Sequence, residues 1–160
     1  MKKIIATIIL AVMFMASSVL AVTPGTCVQT PHQYFPGAAI MISFVCTDSP
    51  DGGGMATQTV TSAAMELLKG AYFLYSVTAY PTTGGTAPDA ADVAVLMNGM
   101  DLLGTKGANL IHPTATNDVY PHSSFMDKDR YAMTVNTITM TITNQATASA
   151  NYTIEMLFSR

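Results

Sequence analysis

The chain has 160 residues, 7 of them basic and 10 acidic, for a formal net charge of −3, and only 11% of its residues are charged. No basic patch and no interleaving of aromatic with basic residues is present, so the sequence lacks the electrostatic footprint of a nucleic-acid binder. The length suits one domain able to bury a core, and so little surface charge does not oppose association.

Residues 1–21 read as a secretory signal peptide. Lys2 and Lys3 supply the positive start, residues 4–15 are apolar except for Thr7, and Ala16, Ser17 and Ser18 are small. Cleavage is expected after Ala21. The apolar run is shorter than the roughly 20 residues of a spanning helix, and no later stretch is longer, so no membrane span is expected after cleavage. In an oxidising compartment the two cysteines, Cys27 and Cys46, are expected to form a disulfide. No Cys-x-x-Cys or histidine at ligand spacing supports a zinc site instead.

Residues 22–38 hold Pro24, Pro31 and Pro36 and read as an extended N-terminal arm with a short strand over 26–29. A single β domain is expected over 39–160. Residues 39–47 alternate Ile40, Ile42, Phe44 and Cys46 with Met41, Ser43 and Val45, the period of two that marks a strand. Residues 48–54 are a turn by composition, without the spacing of a calcium-binding loop. Residues 55–61 are polar and β-branched and suit an edge, and 62–69 fit a helical turn or a strand equally.

A second strong strand is expected over 71–80, with Tyr72, Leu74, Ser76 and Thr78 on one face and Phe73, Tyr75, Val77 and Ala79 on the other. Residues 92–97 form another, followed by Asn98-Gly99, the strongest two-residue hairpin signal, and a return over 100–103. Residues 105–130 are irregular, with Leu110, Ile111, Tyr120 and Phe125 as expected pins into the core. Tyr131, Met133 and Val135 alternate in the odd frame, whereas the run from Ile138 is even, so a bulge or change of sheet is expected at Asn136-Thr137. The run Ile138, Met140, Ile142 and the run Tyr152, Ile154, Met156, Phe158 are joined by a short polar loop and predict an antiparallel hairpin. Many short strands with little helix predict a two-sheet antiparallel β-sandwich, jelly-roll or immunoglobulin-like, with a small closed β-barrel as the alternative.

Catalytic chemistry finds little purchase. His32, His112 and His122 have no partner at i+4, and no Gly-x-Ser-x-Gly elbow accompanies Ser123 and Ser124. Glu66 and Glu155, the only glutamates, fall in unrelated segments. The glycines at 52–54 precede no lysine and no helix, so they form no phosphate cradle. No enzyme activity, metal or cofactor is expected. Met133, Met140 and Met156 read as core filler, and Met97 and Met100 as exposed flanks of the Asn-Gly turn. A loop as long as 105–131 is commonly functional, and Tyr120, His122, Phe125 and Tyr131 are the candidate ligand-binding residues there.

A wider pattern also emerges. Gly70, Tyr72, Val77, Pro81, Thr86-Ala87-Pro88, Asp92-Val93, Asn98-Gly99-Met100-Asp101-Leu102-Leu103-Gly104, Gly107-Ala108-Asn109, and the closing residues 139–144 and 152–158 resemble small phage-type structural proteins. Those are virion, tail or head-decoration β-sandwiches. Cys27 and Phe44-Val45-Cys46-Thr47 before an Asp-Gly loop resemble signal-bearing members of bacterial origin. The resemblance implies an exported, non-enzymatic structural or interaction protein, periplasmic, extracellular or surface-associated. Its implied partners are further copies of itself, a virion or a cell surface. The alternative expectation is a secreted module binding a glycan or other surface ligand through residues 105–131.

Overall fold

A computed structural model describes residues 23–52, 54–69, 72–121 and 137–160. The signal-peptide reading of 1–21, the frame switch at Asn136-Thr137, Met133, and the candidate residues His122, Phe125 and Tyr131 lie outside the described residues.

Two antiparallel sheets face each other, neither closed into a barrel. The strands are β1 (Thr26–Tyr34), β2 (Ala39–Thr47), β3 (Gln58–Thr59), β4 (Phe73–Pro81), β5 (Asp92–Met97), β6 (Met100–Asp101), β7 (Asn117–Val119), β8 (Ile138–Thr143) and β9 (Asn151–Ser159), with short helices α1 (Phe35–Ala38) and α2 (Ser62–Leu67). The five-stranded sheet runs β1-β2-β9-β4-β7 and the four-stranded sheet β3-β8-β5-β6. Their inner faces carry the alternating apolar sets: Ile40, Ile42 and Phe44 from β2, Tyr152, Ile154, Met156 and Phe158 from β9, and Ile138, Met140 and Ile142 from β8, all buried. Alternation puts one set inside because successive strand residues point to opposite faces.

The expected C-terminal hairpin does not form. β8 lies between β3 and β5, whereas β9 lies between β2 and β4, so residues 144–150 carry the chain from one sheet to the other. Both strands bury the frames expected of them. Periodicity says which face is apolar but not which strand it will pair with, and a polar loop of this length serves an arch as well as a hairpin.

β1 is longer than the expected 26–29. It pairs along its whole length with β2, from Thr26 beside Thr47 to Tyr34 beside Ala39. Cys27 and Cys46 sit opposite one another and are joined by the disulfide, with Cα atoms 4.0 Å apart. That close approach marks a pair whose backbone groups point away from each other. Alternation then turns the backbone groups of Gln29, Pro31 and Gln33 toward the free edge. Pro31 has no N–H to offer there, a device that blunts an edge against further pairing. Gly25 donates to Gly54 O at 3.0 Å, and the Gln29 side chain exchanges hydrogen bonds with Thr61, so residues 54–61 strap the front of this edge to the second sheet.

In the 62–69 segment the helix wins over the strand. Thr61 caps α2 by accepting from Ala64 N, and Ala64 and Leu68 are buried at the corner of the core. Asn98 and Gly99 both have positive φ, 53° and 80°, as the two-residue turn requires. Met100 is exposed as expected, but Met97 is buried at the end of β5. After β6, Leu102, Leu103, Leu110 and Ile111 fold over the core rather than extending a strand, through a 3-10 turn at Gly104–Gly107.

The largest departure from simple alternation is in β4. The pairing with β9 shifts between Leu74 and Ser76, leaving Tyr75 as an extra residue. Leu74, Val77 and Ala79 are therefore buried, whereas Tyr75 points outward and is 47% exposed. The expected faces of this strand are correct only up to the bulge; beyond it Val77 and Ala79 share the inner face with Tyr72 and Leu74.

Candidate binding face

The outer face of the five-stranded sheet can be built row by row from the registers. One row runs Asp118, Thr78, Glu155, Ser43, Thr30 from β7 to β1. The row on one side of it is Tyr80, Thr153, Val45, Val28. On the other side are Leu157, Met41 and His32, with Ser76 and the bulged Tyr75 on β4 and Tyr120 just past β7.

Both halves of this face are unusual. Toward β1, Val28 and Val45 lie side by side and are 70% and 48% exposed. The Tyr34 hydroxyl donates to Met41 Sδ at 3.9 Å nearby. Toward β7, Tyr75 and Tyr120 meet edge to face, with centroids 5.6 Å apart and planes at 90°, the arrangement favoured by the ring quadrupole. Asp118 Oδ1 accepts from the Thr78 hydroxyl at 2.8 Å, and Glu155 Oε1 accepts from the Tyr80 hydroxyl at 3.0 Å. As hydrogen-bond partner, the Asp118 carboxylate holds the Tyr120 phenol above its ordinary pKa. Burial and then Glu155 push Tyr80 up in the same direction.

Among the sequence-derived candidates, Tyr120 is therefore no core pin: it is 50% exposed on the sheet face. Leu110 and Ile111 are buried as expected. Cys27 and Cys46 are paired. Tyr75, Asp118, Thr78 and Glu155 escaped sequence reasoning, because they come from three strands and only the bulge puts Tyr75 on the same side as Thr78. The other described histidines are remote from this cluster of acids in chemistry: His112 Nδ1 accepts from Thr114 N and Ala115 N at 3.2 and 3.1 Å, stabilising its own turn, and His32 is exposed on β1. Among the described residues, no three His, Cys, Asp or Glu side chains group to hold a metal ion.

A second polar constellation sits inside, where three loops close one end of the sandwich. Asp89 accepts from Ala146 N through both carboxylate oxygens and donates its own N–H to Gln145 Oε1. Asp48 accepts from Ser49 N at 2.7 Å through Oδ1. Asp48 Oδ2, Gln145 Nε2, Thr82 Oγ1 and Tyr152 OH are buried without a hydrogen-bond partner. Burial, together with the charge of Asp89, lifts the Asp48 carboxyl above the usual range, against the opposing pull of the Ser49 N–H; burial also lifts the Tyr152 phenol, with Asp48 and Asp89 adding to it. A carboxyl whose folded pKa exceeds its unfolded one binds more proton in the folded state. Its contribution to stability is complete below the unfolded value and is lost as pH rises through the folded value. Asp48→Asn is therefore expected to melt a few degrees above the parent at neutral pH, with the gap closing as pH falls toward 4. Melting curves across that range test it, and a gap that widens on acidification would contradict it.

Neither a protein-family model, nor a curated protein, nor a solved structure matches this chain.

Proposed function

We propose that this is an exported, non-enzymatic structural or interaction protein that associates with further copies of itself or with a virion or cell surface, through the outer face of the five-stranded sheet. The observation that carries the reading is where the exposed apolar side chains lie. Of the six large ones among the described residues, Val28, Tyr34, Val45, Tyr75 and Tyr120 are on that face, and only Met100 is elsewhere. An outer sheet face exposed to water alone is ordinarily polar, and clustered apolar exposure marks contact surfaces. Export is supported by the disulfide, which belongs to oxidising compartments. No helix among the described residues is long and apolar enough to cross a membrane. The resemblance to phage-type structural sandwiches supports the same reading.

Face contact is favoured over edge pairing. The four edge strands are β3 and β6 of two residues each, β7 of three, and β1, which Pro31 interrupts. Sedimentation velocity at micromolar concentration is expected to show self-association, and the Val28→Thr/Val45→Thr pair, which keeps β-branched side chains on both strands, is expected to weaken it about tenfold. A parent protein that sediments as a monomer and binds no particle or cell surface would end this reading.

A further inference from the structure

The β7–β4–β9 half of the outer face has a chemistry that the valine-bearing half lacks. Two carboxylates, Asp118 and Glu155, stand on either side of Thr78 in a single cross-strand row. Each already accepts from a hydroxyl: Asp118 from Thr78 and as partner of the Tyr120 phenol, Glu155 from Tyr80. A carboxylate has about four lone-pair sites, so acceptor capacity remains on both. Aromatic rings flank the row. Tyr80 is two residues along β4 in one direction. Tyr120, two residues beyond Asp118 on the antiparallel β7, lies in the other, about 7 Å along the strands. Tyr75 meets Tyr120 there because the β4 bulge puts it on the same face as Thr78. Bulges commonly re-aim a side chain next to a site. Tyr75 and Tyr120 are about half exposed, and Asp118 is exposed.

We infer that this half of the face binds a neutral carbohydrate. A pyranose presents a face of C–H groups, which suits the electron-rich face of a tyrosine ring. It also presents hydroxyl donors, which suit carboxylates that are acceptor-only. Anionic glycans and nucleic acid do not fit, because Asp118 and Glu155 have no cationic neighbour in their row to offset them. A cationic peptide is the competing occupant, since carboxylates and tyrosines also attract ammonium and guanidinium groups. The sugar is favoured because both carboxylates are already used as hydroxyl acceptors and, among the described residues, neither forms an ion pair. The site is displaced from the long loop expected to bear a ligand onto the sheet itself, and of the loop residues only Tyr120 takes part in it.

This inference rests on the outer face being the contact surface, and the two can fail separately. The exported protein is titrated calorimetrically with cellohexaose, xylohexaose, mannohexaose and chitohexaose, and with hexalysine as the cationic probe. Binding of at least one neutral hexasaccharide is expected, insensitive to added salt. Tyr120→Ala is expected to weaken it about tenfold, and Tyr120→Phe to restore it, because the ring rather than the hydroxyl makes the stacking contact. Asp118→Asn is expected to weaken it as well. The Val28→Thr/Val45→Thr protein is expected to bind the sugar as the parent does while associating less. Hexalysine bound in place of the sugars, with salt abolishing it, would overturn the inference, as would no binding to any neutral hexasaccharide by a parent protein that still self-associates.

Discussion

Reducing the Cys27–Cys46 disulfide is expected to cost about 3 kcal/mol of stability, read as a fall in the urea midpoint of unfolding. The sequence separation of 19 residues sets that figure through the freedom returned to the unfolded chain. The native side of the balance makes the bond matter more locally. β1 has its backbone ladder with β2 and a side-chain link from Gln29 to Thr61, and seven of its nine residues are exposed, so little buried surface holds the strand in place. Only Cys27 packs its side chain against the core cluster, where it touches Met55. Cys27→Ala/Cys46→Ala should therefore lose amide protection at Val28, Thr30, His32 and Tyr34 well before the rest of the sheet unfolds. Equal protection of β1 and β2 in that variant, or a loss below about 1 kcal/mol, would show that strand pairing alone holds the edge. The same result bears on compartment: in a reducing cytosol the strand that carries Val28 and Tyr34 would fray, and the proposed contact face would lose one border.

Gly107→Ala is expected to be the most damaging single methyl addition among the described glycines. A Cβ at this position would overlap the Val93 carbonyl oxygen, a backbone atom of a central strand that cannot turn aside. The 3-10 turn is bound to β5 on several sides. Asn109 N donates to Asp92 Oδ1 at 2.8 Å, Leu102 N to Val95 O at 2.8 Å, and Ala91 and Ile111 exchange backbone hydrogen bonds at 3.1 and 3.2 Å. Moving the turn to admit a methyl group would pull Leu103, Leu110 and Ile111 from the core. A loss of about 3 kcal/mol is expected, the upper part of the range for overpacking. Gly104→Ala is the control. That residue has φ of 56° but open space around its Cβ, so only backbone strain applies, about 1 kcal/mol. Urea unfolding of both variants should rank them in this order; equal losses would mean that the close approach to Val93 is relaxed without cost.

The strands that alternate cleanly were legible from sequence. β2 and β5 have the bounds expected, and the Asn98–Gly99 turn follows directly from its two residue types. Three features were not legible, each for a physical reason. The β4 bulge is hidden because Leu74, Tyr75 and Val77 are all apolar, so both frames look burial-competent and only pairing with β9 reveals the extra residue. β1 lacks an apolar face, and its sequence with Pro31 reads as an arm; the disulfide and the β2 edge make it a strand. β7 is three residues inside a polar stretch, too short to carry a period. The candidate face inherits these gaps. Tyr120 could be named from the sequence, but Tyr75, Asp118 and Glu155 meet it through a bulge, a short edge strand and a non-local pairing.

The position of β9 has a consequence for biosynthesis. Ile40 lies beside Phe158, and Phe158 beside Leu74, so the larger sheet has no centre until residues 151–159 have been translated. A nascent chain lacking them holds β2 and β4 with nothing between, and its larger sheet cannot close. Until that segment emerges the two earlier strands stay unlocked, and the chain remains loose enough to thread.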